Sequence, residues 1–341
     1  MSQKRVKSQF IKNLRDKDDV ASPFLIKYSA VAVGKNGKPY LNLILIDQSG
    51  EVEARLWDAV PELASQAVRD AFVWVEGRCQ LFQGRRQIVV KSLQALREDE
   101  VEISDYQAKG AVDPEALYEE LKRLIGSMKD PHYRALAEAV LIEDADVVDR
   151  LKRAPAAKAH HHAYIAGLLE HIVSMTGLLD QVAQHYGETL DRDLLFLGSF
   201  FHDIAKLWEL EYERAIDYTD EGRLVGHLVM GVELIEKKVQ HLNDEFLKSG
   251  NGARSLFPDE KKLLVKHLVV AHHGRLEYGS PKTPQTLEAW VLHLVDDLDS
   301  KVNAIKNFMM QDQSPGKWTA LHKNFGSYFL KPAWAMKAQD E

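Results

Sequence analysis

The apolar residues of this chain change period once along its length, and that switch limits the fold more than any other feature. From Phe24 to about Leu96 the pattern is that of strands. Leu41, Leu43 and Leu45 alternate with Asn42, Ile44 and Ile46. In the next run Val52, Ala54 and Leu56 share one face, while Glu53, Arg55 and Trp57 share the other. Asp47-Gln48-Ser49-Gly50 is the turn between these two runs. Further strands are predicted over Phe24–Val33, before Gly34-Lys35-Asn36-Gly37, and over Phe72–Cys79 and Gln87–Leu93, on either side of Gln83-Gly84. After Asp113 the apolar spacing becomes three and four residues, the period of helices packed on a core. It runs through Leu168, Leu169, Ile172 and Val173, then Leu194, Leu195, Leu197, Phe200, Phe201 and Ile204. It returns at Leu224, Leu228, Val232 and Ile235, and again at Leu292, Val295 and Leu298.

Five short strands within about 75 residues predict a small closed barrel, because closure removes exposed strand edges. A helix-like stretch between Ala59 and Asp70, inserted between strands three and four, specifies the OB-fold. Asp113-Pro114-Glu115 reads as a helix start, with Asp as cap and Pro at the first helical position. The fold class expected is therefore multidomain: an N-terminal all-β OB-fold barrel over 18–98, then an all-α domain over 131–315. Residues 99–130 are read as a linker with a connecting helix, and 316–341 as a C-terminal tail.

At 341 residues the chain suits two domains, and its 45 % apolar and 28 % charged composition is ordinary for a globular protein. No run approaches the length of a membrane span, and the basic start MSQKRVKSQFIKNLRDKDD has no apolar stretch behind it. The single cysteine, Cys79, excludes an internal disulfide and fits a reducing compartment, so the expected location is cytoplasmic, with no membrane partner. The net charge of −7 argues against a protein that simply coats nucleic acid. Residues 1–100 nevertheless carry 16 Lys+Arg against 13 Asp+Glu, a net of +3, whereas the rest carry 28 against 38, a net of −10. Phosphate attraction belongs to the first part, and an acidic remainder suits a cation.

Twelve of the fourteen histidines lie between His160 and His293. His171 sits inside LLEHIVSM and His202-Asp203 inside FFHDIAKLWEL. His227 opens the helix of VGHLVMG, His272-His273-Gly274 close another, and Asp296 is mid-helix in LHLVDDLD. Each is set among large apolar residues, where an unpaired imidazole or carboxylate is costly. Taken singly, each is an ordinary hydrogen-bonded histidine. Five apolar helices all delivering such groups are most simply explained by a shared cation. Imidazole with carboxylate suits Mn²⁺, Fe²⁺, Co²⁺, Ni²⁺, Zn²⁺ or Mg²⁺ without choosing among them.

The order His171, His202-Asp203, Asp296 resembles the HD superfamily of metal phosphohydrolases, and His227 with His272-His273 resembles its members that bind two metals. The strings HHAYIAGLLEH, FHDIAKLWELEY, GRLVGHLVMG and AHHGRLEYGSPKTPQTLEAW are similar to those of YhaM-type 3′→5′ exoribonucleases, which join an OB-fold to an HD domain. The resemblance covers about residues 20–312. It implies exonucleolytic removal of nucleotides from single-stranded RNA, with DNA as a further partner, and Mn²⁺ as the usual metal. Ala205 departs from the glycine common after His-Asp-Ile.

On this basis His171, His202, Asp203 and Asp296 are expected to ligate one cation, with Asp203 bridging, because a carboxylate has two oxygens to share. His227, His272 and His273 would hold a second, with one of the adjacent histidines contacting phosphate or acting as general acid instead. Asp296 is chosen over Asp297 and Asp299 because it continues the face of His293 and Ser300. Lys206, about one turn beyond Asp203, either clamps the scissile phosphate or pairs with Glu209. His160, His161 and His162 either line the substrate entrance or form a solvated helix start. Glu277, with Ser280 and Pro281, belongs to a loop that the resemblance implies shapes the substrate. In the barrel Tyr40, Trp57, Phe82, Arg85 and Arg86 are candidates for stacking bases and contacting phosphates, against the plainer reading of barrel packing. The rival functions are an HD hydrolase of a small nucleotide or cyclic dinucleotide, and a single-strand-binding protein on an inactive scaffold. A homo-oligomer is left open.

Overall fold

The computed structural model describes residues 4–34, 37–57, 63–82, 85–107, 110, 112–158, 162–214, 216–249, 256–312, 314 and 316–333. The chain divides into two compact units, residues 1–109 with 212–216, and residues 110–211 with 217–341.

In the first unit β1 (Asp19–Val33), β2 (Pro39–Asp47), β3 (Gly50–Trp57), β4 (Phe72–Phe82) and β5 (Arg85–Leu96) close a barrel in the order β1-β2-β3-β5-β4. Only the β3–β5 pair is parallel. The alternation read from the sequence sets the register. Leu41, Leu43 and Leu45 stand opposite Leu56, Ala54 and Val52, and all six are buried. Each of the larger side chains stabilises the barrel by roughly 1.5–3 kcal/mol through burial. Strand β1 begins at Asp19 rather than Phe24, because Pro23 sits inside a paired strand, opposite Trp74, where proline normally argues against one. The Pro23 carbonyl accepts instead from the buried Lys7 ammonium at 2.7 Å. Gly77 lies where β4 and β5 shift register, and a Cβ there would stand 2.3 Å from the Val89 carbonyl oxygen. Between β3 and β4 the described residues include a short helical turn whose Leu63 and Ala64 pack on the barrel core. The stretch after β5 is not a free linker. Val101 and Tyr106 are buried against Leu25, Phe72 and Leu96, two apolar residues too sparse to register in an acidic segment.

The second unit is helical, as expected, through α1 (Pro114–Gly126), α2 (Pro131–Leu141), α3 (Ala145–Leu151) and α4 (Gly167–Tyr186). Then come α5 (Arg192–Phe201), α6 (Lys206–Glu209), α7 (Asp220–Leu224), α8 (His227–Ser249), α9 (Asp259–Ala271) and α10 (Leu287–Gln311). Asp113, Asp130, Asp144 and Asp191 each accept a backbone N–H at the start of the helix they precede, a cap contributing about 1 kcal/mol. A two-stranded ribbon, β6 (Leu210–Glu211) with β7 (Asp217–Tyr218), was not foreseen. The expected C-terminal tail is partly ordered: Trp318 bridges Leu330, and the buried Lys331 pairs with Asp312 at 2.8 Å. Among the described residues, no helix is long and apolar enough to cross a membrane.

Candidate metal centre

His202 and Asp203 do not lie within a continuous helix. Helix α5 ends at Phe201, His202 caps it, and Asp203 stands in the turn before α6. Adjacent residues on one helix point about 100° apart, so the break lets both side chains face one centre. His171 comes from the second turn of α4, His227 from the first position of α8, His272 and His273 from just past the end of α9, and Asp296 from α10. His171, His202 and His272 are each 1 % exposed and Asp203 is 4 % exposed.

The donor atoms are closely spaced. His171 Nε2 lies 3.2 Å from Asp296 Oδ1 and 3.3 Å from His202 Nε2. His202 Nε2 lies 3.4 Å from Asp203 Oδ2. On the other side of that carboxylate, Asp203 Oδ1 is 3.5 Å from His227 Nε2 and 3.6 Å from His272 Nε2. Two ligands each about 2.1 Å from one cation stand roughly 3.0–3.4 Å apart at octahedral or tetrahedral angles, so these separations fit a metal cage. Three histidine-bearing groups have mutually close donor atoms: His171–His202–Asp203, His227–His272–His273 and His162–His171–Asp299. Asp203 Oδ1, His227 Nε2 and His273 Nδ1 are buried without a hydrogen-bond partner, a costly state that a cation relieves.

Four rings are held the same way. His202 Nδ1 donates to the Ser199 carbonyl at 2.9 Å and His272 Nδ1 to that of Val269 at 2.8 Å. His171 Nδ1 faces Asp299 at 2.8 Å, and His227 Nδ1 faces Glu209 at 2.8 Å. In each case Nε2 is left for the centre, the arrangement by which outer acceptors fix metal-ligating imidazoles. Sequence reasoning missed Asp299 and Glu209. The i+3 offset of Asp299 from Asp296 was the available signal. Asp297 is half-exposed and pairs with Lys301, whereas Asp296 meets His171 at Nε2 and Asp299 meets it at Nδ1.

Burial alone would lower His171, but Asp296 and Asp299 outweigh it and raise the ring to about 9. Burial likewise opposes ionisation of Asp203, yet Lys206 and His202 hold it well below the usual carboxylate range. Lys206 is not paired with Glu209: its Nζ lies 2.6 Å from Asp203 Oδ2. Burial disfavours its charge, and Asp203 more than restores it. Burial also pushes His273 down to about 4, so this ring is neutral near pH 7 and is poorly suited to donate a proton as a general acid.

The remaining candidates separate clearly. His161 lies outside the described residues. His162 is buried against Asp299 at 3.3 Å, and so is neither solvated nor at an entrance. Glu277 is exposed on the loop after His273. Ala205 is buried opposite Gly231, which leaves room for its methyl group. In the barrel unit Tyr40 and Trp57 are register partners with ring centroids 4.6 Å apart, and Trp57 is 42 % exposed. Arg55 lies 5.8 Å from the Tyr40 ring and 5.6 Å from that of the exposed Phe82. Arg85 is exposed. Arg86 is half-buried and donates to the Ile11 carbonyl at 2.6 Å, which ties it to the N-terminal segment.

Residues 168–301 match the family described as HD domain, and residues 26–96 match that described as OB-fold nucleic acid binding domain. Among solved structures, the chain is similar to the second OB-fold domain of replication protein A from Methanococcus maripaludis, at 19 % identity over 26 % of this chain and 95 % of that one, TM-score 0.23. A replication protein A heterotrimer bound to ssDNA matches at 19 % identity over 28 % and 72 %, TM-score 0.20. RecG bound to a three-way DNA junction matches at 13 % over 79 % and 36 %, TM-score 0.23. The HD domain defines the class, a metal-dependent phosphohydrolase. The chain thus joins a region matching the HD domain, whose histidine–aspartate clusters could hold a divalent metal, to a barrel matching an OB-fold nucleic acid binding domain.

Proposed function

We propose that the protein is a metal-dependent 3′→5′ exoribonuclease that hydrolyses phosphodiester bonds of single-stranded RNA, and that it also accepts single-stranded DNA. The observation that carries the metal chemistry is Asp203, whose two oxygens face different imidazoles, His202 on one side and His227 and His272 on the other. His171, His202 and Asp296 would complete one metal site, His227, His272 and His273 a second, with Asp203 shared. Bound divalent metal, with Mn²⁺ the working choice, lowers the pKa of water and neutralises developing oxyanion charge. Lys206 holds a full positive charge beside Asp203, positioned to attract a phosphate oxygen. Neutral His273 can ligate metal or accept a proton. Asp299 and Glu209 keep His171 and His227 turned inward. Tyr40, Trp57, Phe82 and Arg55 offer a face on which unpaired bases stack, and the net charge of +3 over residues 1–100 favours phosphate there.

The test uses RNA labelled at its 5′ end, incubated with the full chain and Mn²⁺. Stepwise shortening of the labelled strand is expected, abolished in Asp203→Asn. Intact strands alongside hydrolysis of a cyclic dinucleotide would overturn the proposal.

A further inference from the structure

Beside the donor cluster lies a cleft of about 190 Å³, lined by His272, His273, Asp296 and Asp297 together with Tyr278, His293 and Ser300. Its size falls below the ~300 Å³ at which pockets for drug-sized ligands begin, so it takes one ring system rather than a base pair or a dinucleotide. Its walls are fixed. His293 Nδ1 donates to the His272 carbonyl at 2.9 Å, and the ring lies so close to Gly274 that a Cβ there would approach it to 2.3 Å. The loop that carries Tyr278 is pinned by Ser280, whose buried hydroxyl lies within hydrogen-bond reach of the Val270 and Lys282 carbonyls at 2.9 and 2.8 Å. Tyr278 itself is 61 % exposed, and the Arg275 guanidinium stands 5.7 Å from its ring.

An aromatic face kept in water on a pinned loop, lining the same cleft as His272, His273 and Asp296, suits a flat ring as its ligand. We infer that Tyr278 stacks on the base of the nucleotide whose phosphate enters the donor cluster, making this cleft a nucleoside-monophosphate subsite. This deepens the proposed nuclease activity and rests on it for the order of events, although base binding can be measured alone.

Calorimetric titration of the full chain in Mn²⁺ compares adenosine 5′-monophosphate with ribose 5-phosphate, which lacks the base. The nucleotide should bind about tenfold more tightly, a modest figure for base–aromatic stacking. Tyr278→Ala should erase that preference and Tyr278→Phe should keep it. Equal affinities in the unaltered protein, or a preference that survives Tyr278→Ala, would overturn the subsite. Loss of the nuclease reading would show separately, as intact labelled strands with the nucleotide preference still present.

Discussion

A proton and a divalent cation compete for the lone pair on His171 Nε2, because Asp299 already occupies the Nδ1 side. With the ring raised to about 9, it carries a proton at neutral pH that a cation must expel. Titration of chelated protein with Mn²⁺ in buffers of different ionisation enthalpy should therefore register close to one proton released at pH 7 and almost none near pH 10. No release at pH 7 would remove His171 from the ligand set. The same shift has a stability consequence in chelated protein. Charged His171 stabilises the fold fully below the ordinary histidine value of 6.5, and the contribution disappears as pH rises through about 9. Its ceiling is about 3 kcal/mol, readable by urea denaturation across that range. Asp299 and Glu209 act one bond further out. Asp299→Asn and Glu209→Gln remove the charge that strengthens each imidazole, and each should weaken Mn²⁺ binding by about 10–100-fold with the helical circular dichroism retained. Unchanged affinity in both variants would make these carboxylates purely structural.

At the scale of elements, the turn after α9 is the most demanding piece of backbone near the site. Gly274 has φ of +76°, and the space a side chain would need is filled by the His293 ring. Gly274→Ala should cost about 2–3 kcal/mol in thermal or urea unfolding, from backbone strain and the displaced ring together. A variant as stable as the parent would mean that the turn relaxes freely. The glycine stood visibly in the His-His-Gly string, but the reason for it did not, since His293 arrives from a different helix. Much of the site behaves this way. Helix starts at Asp113 and at His227, and the alternating faces of β2 and β3, follow from local pattern and were legible in the residues. The break between α5 and α6 was not, because FFHDIAKLWEL keeps its apolar spacing straight through the turn. The roles of Glu209, read as a partner for Lys206, and of Asp299, set aside for Asp296, were hidden for another reason: a carboxylate gives no local sign of the imidazole it meets. The Arg86 contact was hidden as well, because an arginine beside a turn gives no local sign of a carbonyl on a distant segment.

For the molecule as a whole, the proposed function assigns holding a strand to the mildly basic first hundred residues and cutting it to the acidic remainder. Trp57→Ala removes one stacking face and should weaken binding of a long single strand about tenfold, measured by anisotropy, while cleavage of a dinucleotide proceeds at the parent rate. Log affinity should fall linearly with log salt in both proteins. Equal losses on long and short substrates would instead make the aromatic cluster part of the barrel's packing. The donors also have a particular order along the chain. His171 and His202-Asp203 come early, whereas Asp296 and Asp299 sit on α10, near the end of the described residues. Chains emerge from the ribosome N-terminus first, at about 5–20 residues per second. The barrel strands are thus complete while the helical unit still lacks its last two carboxylates. Under the proposed function, a polypeptide still being translated would hold a strand before it could cut one, and translation itself would supply the delay.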